Sequence, residues 1–280
     1  MPINNLTEEG FGMLTGSAAP SFTGLLDEYG GAAAAYSLRR LSSTYESNLI
    51  EVRRSSDNTT QDIGYDDNGD LDTASLLSFV GAGDGFVRTW YDQSGNGVNA
   101  QQTTASLQPL IVSSGSINTL GTSAKPAINF NNDYFDTPLT SVFQGFLDVY
   151  KSWNSTKASN VAQIPLGSTT SGSIFYQYSN TSFLQNGTIS AIDIRDGVHR
   201  LTNFYHNTLD GFINHNGTDY SATIGGYNNN ATSRVWRIGA YPVGSLWNVI
   251  GNIQEFIVYS GNQAGKADIK TNINSYYSIY

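Results

Sequence analysis

The stretch FVRTWYDQSGNGV, residues 86–98, decides the fold because it runs from a strand pattern directly into a glycine-rich turn. Its first six residues include aromatic and β-branched side chains, which favour a strand. Gly95 and Gly97 then predict a sharp turn, since glycine adopts backbone angles that other residues avoid. Asp92, at the junction, is either a carboxylate at the mouth of a site or an acceptor that holds the turn. We predict the second, a structural turn made by Asp92, Gly95, Asn96 and Gly97.

The composition favours an all-β protein. The 280 residues include 29 Gly, 17 Tyr and 13 Phe, and only 13% of all residues are charged. Glycines and small polar residues supply turns, while the aromatic residues supply apolar area for a core. We therefore predict an all-β sandwich of two antiparallel sheets with a few short helices.

Short runs between turn signals predict the individual elements. Strands are expected over Leu49–Arg54, Phe86–Tyr91, Leu110–Val112, Ala127–Phe130, Phe143–Trp153, Ser173–Tyr178, His199–Tyr205, Leu209–Asn214, Ser233–Ile238 and Asn252–Tyr259. A helix is expected over Gly31–Tyr45, which is rich in alanine, and another over Thr73–Val80, with Asp72 as N-cap and Gly81 as its end. A terminal helix or helical turn is expected within Lys266–Tyr280.

Charge and cysteine content exclude several classes of protein. The net charge is −9 and the pI about 4.6, so a phosphate backbone is repelled and no nucleic acid is expected as a partner. There is no cysteine, which excludes disulfides, thiol nucleophiles and thiolate metal sites. No apolar run reaches the roughly 18 residues of a membrane span, and the first residues lack the apolar core of a signal peptide. The sequence thus predicts no membrane span and no export by the usual signal.

A calcium loop is suggested by three alternating oxygen-bearing residues, Asp66, Asn68 and Asp70. Such a loop needs glycine at its sixth position and glutamate at its twelfth. Leu71 and Leu77 stand there instead. We therefore predict no metal and no cofactor for the chain, while calcium at the rim of the domain, which no residue pattern supports, stays open.

Five stretches carry a family resemblance. SLRRLSSTYESNLIEVRRSSDNTTQDIG (37–64) and TWYDQSGNG (89–97) resemble the N-terminal part of the catalytic domain of family 54 α-L-arabinofuranosidases. KPAINFNNDYF (125–135), RLTNFYHNTLDGFINHNGT (200–218) and IGAYPVGSLWNVIGNIQEFIVYS (238–260) are similar to strands of the wider concanavalin A-like, or laminin-G-like, superfamily. The resemblance implies a concanavalin A-like jelly-roll sandwich over residues 25–280, with a carbohydrate-type groove on one sheet.

The resemblance also locates the expected catalytic positions. Enzymes of that family are retaining, with a glutamate nucleophile on an inner strand and an aspartate acid/base after an Ile-Gly-Gly-type strand. By motif, the nucleophile strand falls on Gly172–Tyr176, and the acid/base falls near Tyr241, just after Arg237–Ala240. Neither stretch holds Asp or Glu, and the family's adjacent cysteines are absent. We therefore assign no catalytic residue, and the sequence favours a protein that binds without catalysis.

A glycan site is predicted from aromatic residues in polar loops. Sugars rest their C–H faces on aromatic rings and pair their hydroxyls with amides. Two loops that the fold could bring to one rim provide these groups, and the candidate glycan-binding residues are Tyr227, Asn229, Tyr241, Trp247 and Asn248. An isolated carboxylate, Glu255, is expected to be solvated or salt-bridged, facing opposite to Phe256.

These observations lead to a ranked set of functions. The leading expectation is a non-enzymatic virion structural, spike or receptor-binding protein of a bacteriophage, which recognises bacterial surface glycan through several copies. Residues 1–24 would be an arm that attaches to other virion proteins, in a homo-oligomer located in the virion; secretion by an unusual route is the alternative. The alternatives in function are a glycoside hydrolase of the arabinofuranosidase type and a purely architectural capsid or spike component.

Overall fold

The computed structural model describes residues 22–138, 147–155, 163–168, 173–178, 181–184, 187–190, 197–206, 210–223, 236–240, 248–260 and 266–280. Of the predicted N-terminal arm, residues 1–21 lie outside the described part. The helices are α1 (Leu25–Glu28), α2 (Thr73–Val80) and α3 (Lys266–Tyr277), with a 3-10 turn at Ala105–Leu107. The strands are β1 (Ala32–Ser37), β2 (Ile50–Arg54), β3 (Thr60–Ile63), β4 (Gly85–Trp90), β5 (Ala100–Gln101), β6 (Leu110–Ser113), β7 (Ser116–Ile117), β8 (Thr119–Leu120), β9 (Lys125–Pro126), β10 (Ile128–Asn131), β11 (Phe135–Thr137), β12 (Leu147–Ser155), β13 (Gln163–Ser168), β14 (Ser173–Tyr178), β15 (Thr181–Leu184), β16 (Gly187–Ser190), β17 (Arg200–His206), β18 (Asp210–His215), β19 (Thr218–Thr223), β20 (Trp236–Ile238) and β21 (Ile250–Tyr259).

Antiparallel pairing arranges these strands in two layers. In the first layer β21 pairs with β1 and β10 on one side and with β12 on the other, and β17, β18 and β19 follow β12. In the second layer the order is β3, β2, β4, β5, β11, β20, β13, β14, β15 and β16. Strand β6 pairs with both β10 and β4 and so joins the two layers. The predicted all-β sandwich of two antiparallel sheets is confirmed.

The main hydrophobic core lies between the layers. Strands β1, β10 and β21 contribute one side of it, and β2, β4, β11 and β20 contribute the other. Its largest fully buried members are aromatic: Trp90, Trp236, Tyr36, Phe130, Phe135 and Phe204. Aromatic rings bury the most apolar area per residue, which explains how a chain so rich in small polar residues retains a core.

A second hydrophobic cluster covers the outer face of the first layer. Helix α3 places Ile269, Ile273 and Tyr277 against Ile257 and Tyr259 of β21. The alternation of side chains along the last part of β21 explains this arrangement, since Ile257 and Tyr259 face the helix while Phe256 and Val258 face the main core. Helix α3 therefore shields the part of the first layer beneath it from solvent.

The predicted helix over Gly31–Tyr45 is wrong, because this segment contains strand β1. The strand pairs with β21 from Ala32↔Tyr259 to Ser37↔Glu255. Ala34 packs into the main core and Ala35 into the cluster under α3, both fully buried. Alanine's intrinsic helix preference is a fraction of a kcal/mol per residue, so long-range pairing and burial on both faces override it.

Other predicted elements are confirmed. Helix α2 spans Thr73–Val80, the Asp72 side chain accepts a hydrogen bond from the Ser75 N–H, and Gly81 follows with a positive φ of 67°. Strand β14 has the predicted bounds, and helix α3 occupies most of the predicted C-terminal segment. No helix among the described residues is long and apolar enough to cross a membrane.

Candidate functional site

A row of polar residues crosses the outer face of the second layer. Strand register aligns Glu51 with Thr89, Thr89 with Gln101, Gln101 with Asp136, and Asp136 with Arg237. Residues aligned in this way point to the same side of a sheet. We call these five residues the polar row. It lies on the face opposite the main core, on the side of the sandwich away from α3.

Ion pairs and hydrogen bonds hold the polar row. At one end Arg88 and the Thr89 hydroxyl donate to the Glu51 carboxylate at 2.7 and 2.9 Å. At the other end Arg237 donates from Nε and Nη2 to the two oxygens of Asp136 at 2.8 and 3.2 Å. This fork geometry fixes the orientation of the carboxylate.

An aromatic ring adjoins the second pair. The guanidinium carbon of Arg237 lies 3.7 Å from the centre of the Tyr134 ring. Tyr134 directly precedes β11 and is two residues from Asp136, which places both on the same side of the extended chain. A charged pair and an aromatic surface stand side by side at this position.

A cavity of about 350 Å³ opens beside Asp136. The residues that line it are Asn99, Gln101, Gln102, Thr103, Asp136, Thr137 and Pro138. Gln102 is held in place because its Nε2 donates to the Tyr134 carbonyl and its Oε1 accepts from the Thr104 N–H, at 3.2 and 2.9 Å. The lining is thus rich in amides and hydroxyls and has one carboxylate, which suits an uncharged polar ligand.

The backbone register continues from the polar row to the predicted nucleophile strand. Arg237 aligns with Gly167 of β13, and Gly167 aligns with Ser173 of β14. Strand β14 contains most of the stretch Gly172–Tyr176, where the resemblance locates the nucleophile. The cavity and this strand therefore belong to the same sheet, with β20 and β13 between them.

A further carboxyl group lies where β20 ends. Asp133 stands between β10 and β11, is half-buried, and accepts a hydrogen bond from the Asn131 N–H at 2.9 Å. Burial raises the pKa of Asp133 from its ordinary value of 3.8 to about 6, and the Asn131 N–H bond lowers it only in part.

The predicted structural turn is anchored to β1. The Asp92 side chain is 6% exposed. Its Oδ1 accepts hydrogen bonds from the N–H groups of Ala35, at 2.8 Å, and Ser94, at 2.9 Å. Its Oδ2 accepts hydrogen bonds from the Ser94 hydroxyl, at 2.7 Å, and the Val98 N–H, at 3.2 Å. The turn glycines, 95 and 97, have φ of 88° and 70°. The carboxylate oxygens of Asp92 are thus occupied within the protein.

The other turn residue and a nearby cavity complete this region. Asn96 donates from Nδ2 to the carbonyls of Ala32 and Ala33 at 3.0 and 3.2 Å, so it too ties the turn to β1. A cavity of about 300 Å³ lies alongside, lined in part by Tyr45, Gln93 and Ser94 but not by Asp92.

Most of the predicted glycan-binding residues lie outside the described part of the chain: Tyr227, Asn229, Tyr241 and Trp247. Asn248 is described, and it is 7% exposed, with its Nδ2 3.5 Å from the Asn132 carbonyl oxygen. A role of these residues in glycan binding stays a prediction. No cluster of three or more potential metal ligands occurs among the described residues.

Sequence reasoning missed Asp136, Arg237 and Gln101. Asp136 follows two aromatic residues in YFDTP, residues 134–138, but this run has no regular alternation of polar and apolar side chains that would mark a half-buried strand. The sequence does not show that Asp136 and Arg237 lie close together, because these residues are 101 positions apart in the chain. Glu255 is salt-bridged, as one of the two expectations had it, but it is fully buried rather than solvated.

Comparison with known proteins gives one matching family and several solved structures of similar fold. The model of the α-L-arabinofuranosidase B catalytic family matches residues 29–183, more than half of the chain. A solved GH54 α-L-arabinofuranosidase, soaked with a cyclic sulfate inhibitor, superposes with a TM-score of 0.66 at 17% identity, over 88% of this chain and 63% of that one. An arabinofuranosidase complexed with arabinofuranosyl-α-1,2-xylobiose gives a TM-score of 0.66 at 17% identity, over 91% and 65%. No curated protein matches the chain.

The two solved structures bear on the fold alone at these identities, and the chain spans less than two thirds of either. The match to the family model, in contrast, shows the family of the chain. The predicted bacteriophage spike or receptor-binding protein, with its lectin-like module, is wrong, because the matching family is a catalytic domain of glycoside hydrolases. A homo-oligomeric state stays a prediction. The chain belongs to the α-L-arabinofuranosidase B catalytic family.

Proposed function

We propose that the chain is a glycoside hydrolase of the arabinofuranosidase type, which removes α-L-arabinofuranosyl groups from a glycan. The family match over residues 29–183 carries the proposal. The matched segment includes β2, β4, β5 and β11, which supply four of the five members of the polar row, and also β13 and β14. The candidate site and the match thus lie on the same strands.

The chemistry of the cavity supports a neutral sugar as the substrate. Gln101, Asn99 and Thr103 offer amide and hydroxyl groups of the kind that pair with sugar hydroxyls. Asp136, held by Arg237, is a fixed acceptor that pairs with a hydroxyl donor. Tyr134 adds an aromatic ring beside them, and sugar C–H faces pack on such rings.

The proposal requires carboxylates at positions other than those carried over from the resemblance. Retaining hydrolysis uses two carboxyl groups about 5 Å apart, and inverting hydrolysis uses two at roughly 6.5–9.5 Å. Gly172–Tyr176 and Tyr241 offer none. Among the described residues, Glu51 and Asp136 stand on the outer face of the second layer, and Asp133 stands at its rim. Glu51 and Asp136 are three strand spacings apart, roughly 14 Å, so they do not form such a pair with each other.

The direct test is sugar release by the purified protein. The substrates are 4-nitrophenyl α-L-arabinofuranoside and a xylo-oligosaccharide that carries an α-arabinofuranosyl branch. We expect release of arabinose from both. The matched control substrate is 4-nitrophenyl α-L-arabinopyranoside, which has the same atoms in a six-membered ring and should react at least about tenfold more slowly, since a site shaped for one ring holds the other poorly.

A variant pair separates the site from the rest of the surface. Asp136→Asn removes the charge beside the cavity, whereas Asp57→Asn removes the charge of a comparable Arg-paired aspartate, bound to Arg54 outside the cavity. We expect only the first to weaken hydrolysis. No release from either furanoside by protein that unfolds cooperatively would overturn the proposed function. Binding of the oligosaccharide without turnover would also overturn it.

A further inference from the structure

A tyrosine adjoins the cavity on the outer face of the second layer. Tyr91 follows β4, and the pair Trp90↔Ala100 places it across from Asn99, a residue that lines the cavity. Because the Trp90 side chain is fully buried in the main core, the side chain of Tyr91 points to the opposite, outer face. The Asp92 N–H donates to Oδ1 of Asn99 at 3.0 Å, which holds the two chain segments together beside the cavity.

The Tyr91 hydroxyl is fixed by a carboxylate two strands away. It donates to Oδ1 of Asp62 on β3 at 2.7 Å, and Asp62 aligns with Glu51 of β2, which stands between them. Burial, and then the Asp62 carboxylate, raises the pKa of Tyr91, so the hydroxyl keeps its proton and remains the donor of this bond. The ring is therefore held across β2 in a fixed orientation.

The Tyr91 ring differs from two neighbouring rings of this layer, each of which is covered by an arginine. The guanidinium carbon of Arg53 lies 4.7 Å from the centre of the Phe86 ring, and that of Arg237 lies 3.7 Å from the centre of the Tyr134 ring. Tyr91 is half-buried, and within the described part of the chain no aromatic ring or cation stacks on it. Its exposed part therefore remains open to a ligand.

The length and charge of this surface indicate the class of ligand. We call Asn99, Tyr91 and Asp62 the Tyr91 strip. From β5, beside the cavity, to β3 the strip crosses three strand spacings, roughly 14 Å, which is longer than one sugar ring. Asp62 forms no ion pair with any described residue, so an anionic ligand is repelled. A neutral sugar can pack a C–H face on Tyr91 and pair its hydroxyls with Asp62 and the Asn99 amide.

We propose that the Tyr91 strip is a second subsite, which binds the main chain of a neutral glycan while one arabinofuranosyl branch occupies the cavity. The inference rests on the proposed function and narrows its substrate class to branched, uncharged oligo- and polysaccharides. The strip holds the part of the substrate that remains after the branch is removed. It therefore adds binding energy only for substrates that are long enough to reach from the cavity to Tyr91.

The test compares a long and a short substrate in Tyr91→Ala. The long substrate is a neutral xylo-oligosaccharide with one α-arabinofuranosyl branch, and the short one is methyl α-L-arabinofuranoside, whose methyl group does not reach the strip. The measured quantity is the ratio of KM for the long substrate to KM for the short one. We expect this ratio to rise at least about fivefold, because only the long substrate loses contact with the ring. Tyr91→Phe keeps the ring and should raise the ratio less.

A charged ligand tests the role of Asp62. Calorimetric titration of the wild type with two unbranched xylo-oligosaccharides of equal length, one of them carrying a glucuronic acid, should give the larger Kd for the acidic one. Asp62→Asn keeps an oxygen that accepts from the Tyr91 hydroxyl but removes the charge, so the two Kd values should move closer together. An acidic ligand that binds as tightly as the neutral one would contradict the inference.

The matched control is another exposed tyrosine. Tyr280 is 53% exposed and lies beside Gly217, in the turn between β18 and β19 of the first layer. Tyr280→Ala should leave the KM ratio at its wild-type value. If Tyr91→Ala does not fold, Tyr91→Leu, which keeps apolar volume without a ring, should give the same rise in the ratio.

Two outcomes separate this inference from the proposed function. An unchanged KM ratio in a folded Tyr91 variant without the ring would overturn the inference, while release of arabinose from both substrates would leave the proposed function standing. If the wild type releases arabinose from neither substrate, the proposed function itself fails, and the inference with it.

Discussion

The two outer faces of the sandwich carry the same kind of ion pair in opposite surroundings. Beneath α3, Arg39 donates from Nε and Nη2 to the two carboxylate oxygens of Glu255 at 2.8 and 3.1 Å, and Glu255 is fully buried. On the second layer, Arg237 holds Asp136 with nearly the same geometry, but the Asp136 side chain is 44% exposed and borders a cavity. Both ion pairs therefore have the same two-hydrogen-bond geometry, but in the described part of the chain only the Arg39–Glu255 pair is covered by a helix.

The comparison shows which pair is free to act on a ligand. Glu255 also accepts from the Ser37 hydroxyl at 2.7 Å, and Arg39 also donates to Asn272 of α3 at 2.9 Å, so the buried pair ties helix, β1 and β21 together. Asp136 lines the cavity, and no helix covers it among the described residues. The arginine-paired carboxylate therefore has a structural role on the face under α3, whereas on the other face it can be reached by a ligand.

Breaking the buried pair should have the largest effect on stability. Glu255→Gln leaves the Arg39 guanidinium buried without a counter-charge, and we expect the free energy of unfolding to fall by about 3–5 kcal/mol. Urea unfolding measures it. Asp136→Asn is the matched variant on the open face and should cost at most about 1 kcal/mol, because exposed ion pairs contribute little. Equal losses in the two variants would remove the distinction between the faces.

Asp92→Ala should have the next largest effect. The change removes the acceptor for the Ala35 N–H in buried β1, and a buried donor left unpaired costs about 1–3 kcal/mol. Asp66→Ala, which removes an exposed turn acceptor, should cost less than 1 kcal/mol in the same urea experiment. If Asp92→Ala kept its full stability but lost hydrolysis, the turn would be part of the site.

The pattern of success in the sequence predictions follows interaction range. The Asp72-capped helix and the Asp92 turn depend largely on groups a few residues apart, which a sequence displays directly. Strand β1 depends on β21, more than 200 positions away, so local alanine content misled the prediction. The polar row depends on the register of five strands, and no local pattern indicates which residues of different strands align.

On the open face, Asp136→Asn should act on substrate binding more than on stability. Loss of one charged acceptor for a sugar hydroxyl costs about 1.5–3 kcal/mol of binding, so we expect KM for the branched xylo-oligosaccharide to rise about tenfold or more. Initial-rate kinetics measure it. Asp57→Asn serves as control, and unchanged KM in Asp136→Asn would exclude the cavity as the substrate site.

A pH dependence of stability is expected from Asp133. Its pKa is about 6 in the folded protein and near the ordinary 3.8 when unfolded. The folded state therefore keeps a proton that the unfolded state releases, and the stability contributed by this group is present below about pH 4 and lost as the pH rises to about 6. Urea unfolding of the wild type and of Asp133→Asn gives the free energy of unfolding of each at every pH, and the difference between the two values isolates the contribution of this group. A difference that does not change between pH 4 and 6 would contradict the raised pKa.

The most direct test of the open face as the site is the position of a bound sugar. Crystals of the protein soaked with an α-L-arabinofuranosyl-substituted xylobiose would show it. We expect the arabinofuranosyl ring in the cavity beside Gln101 and Asp136. A sugar bound elsewhere, with this cavity unoccupied, would contradict it.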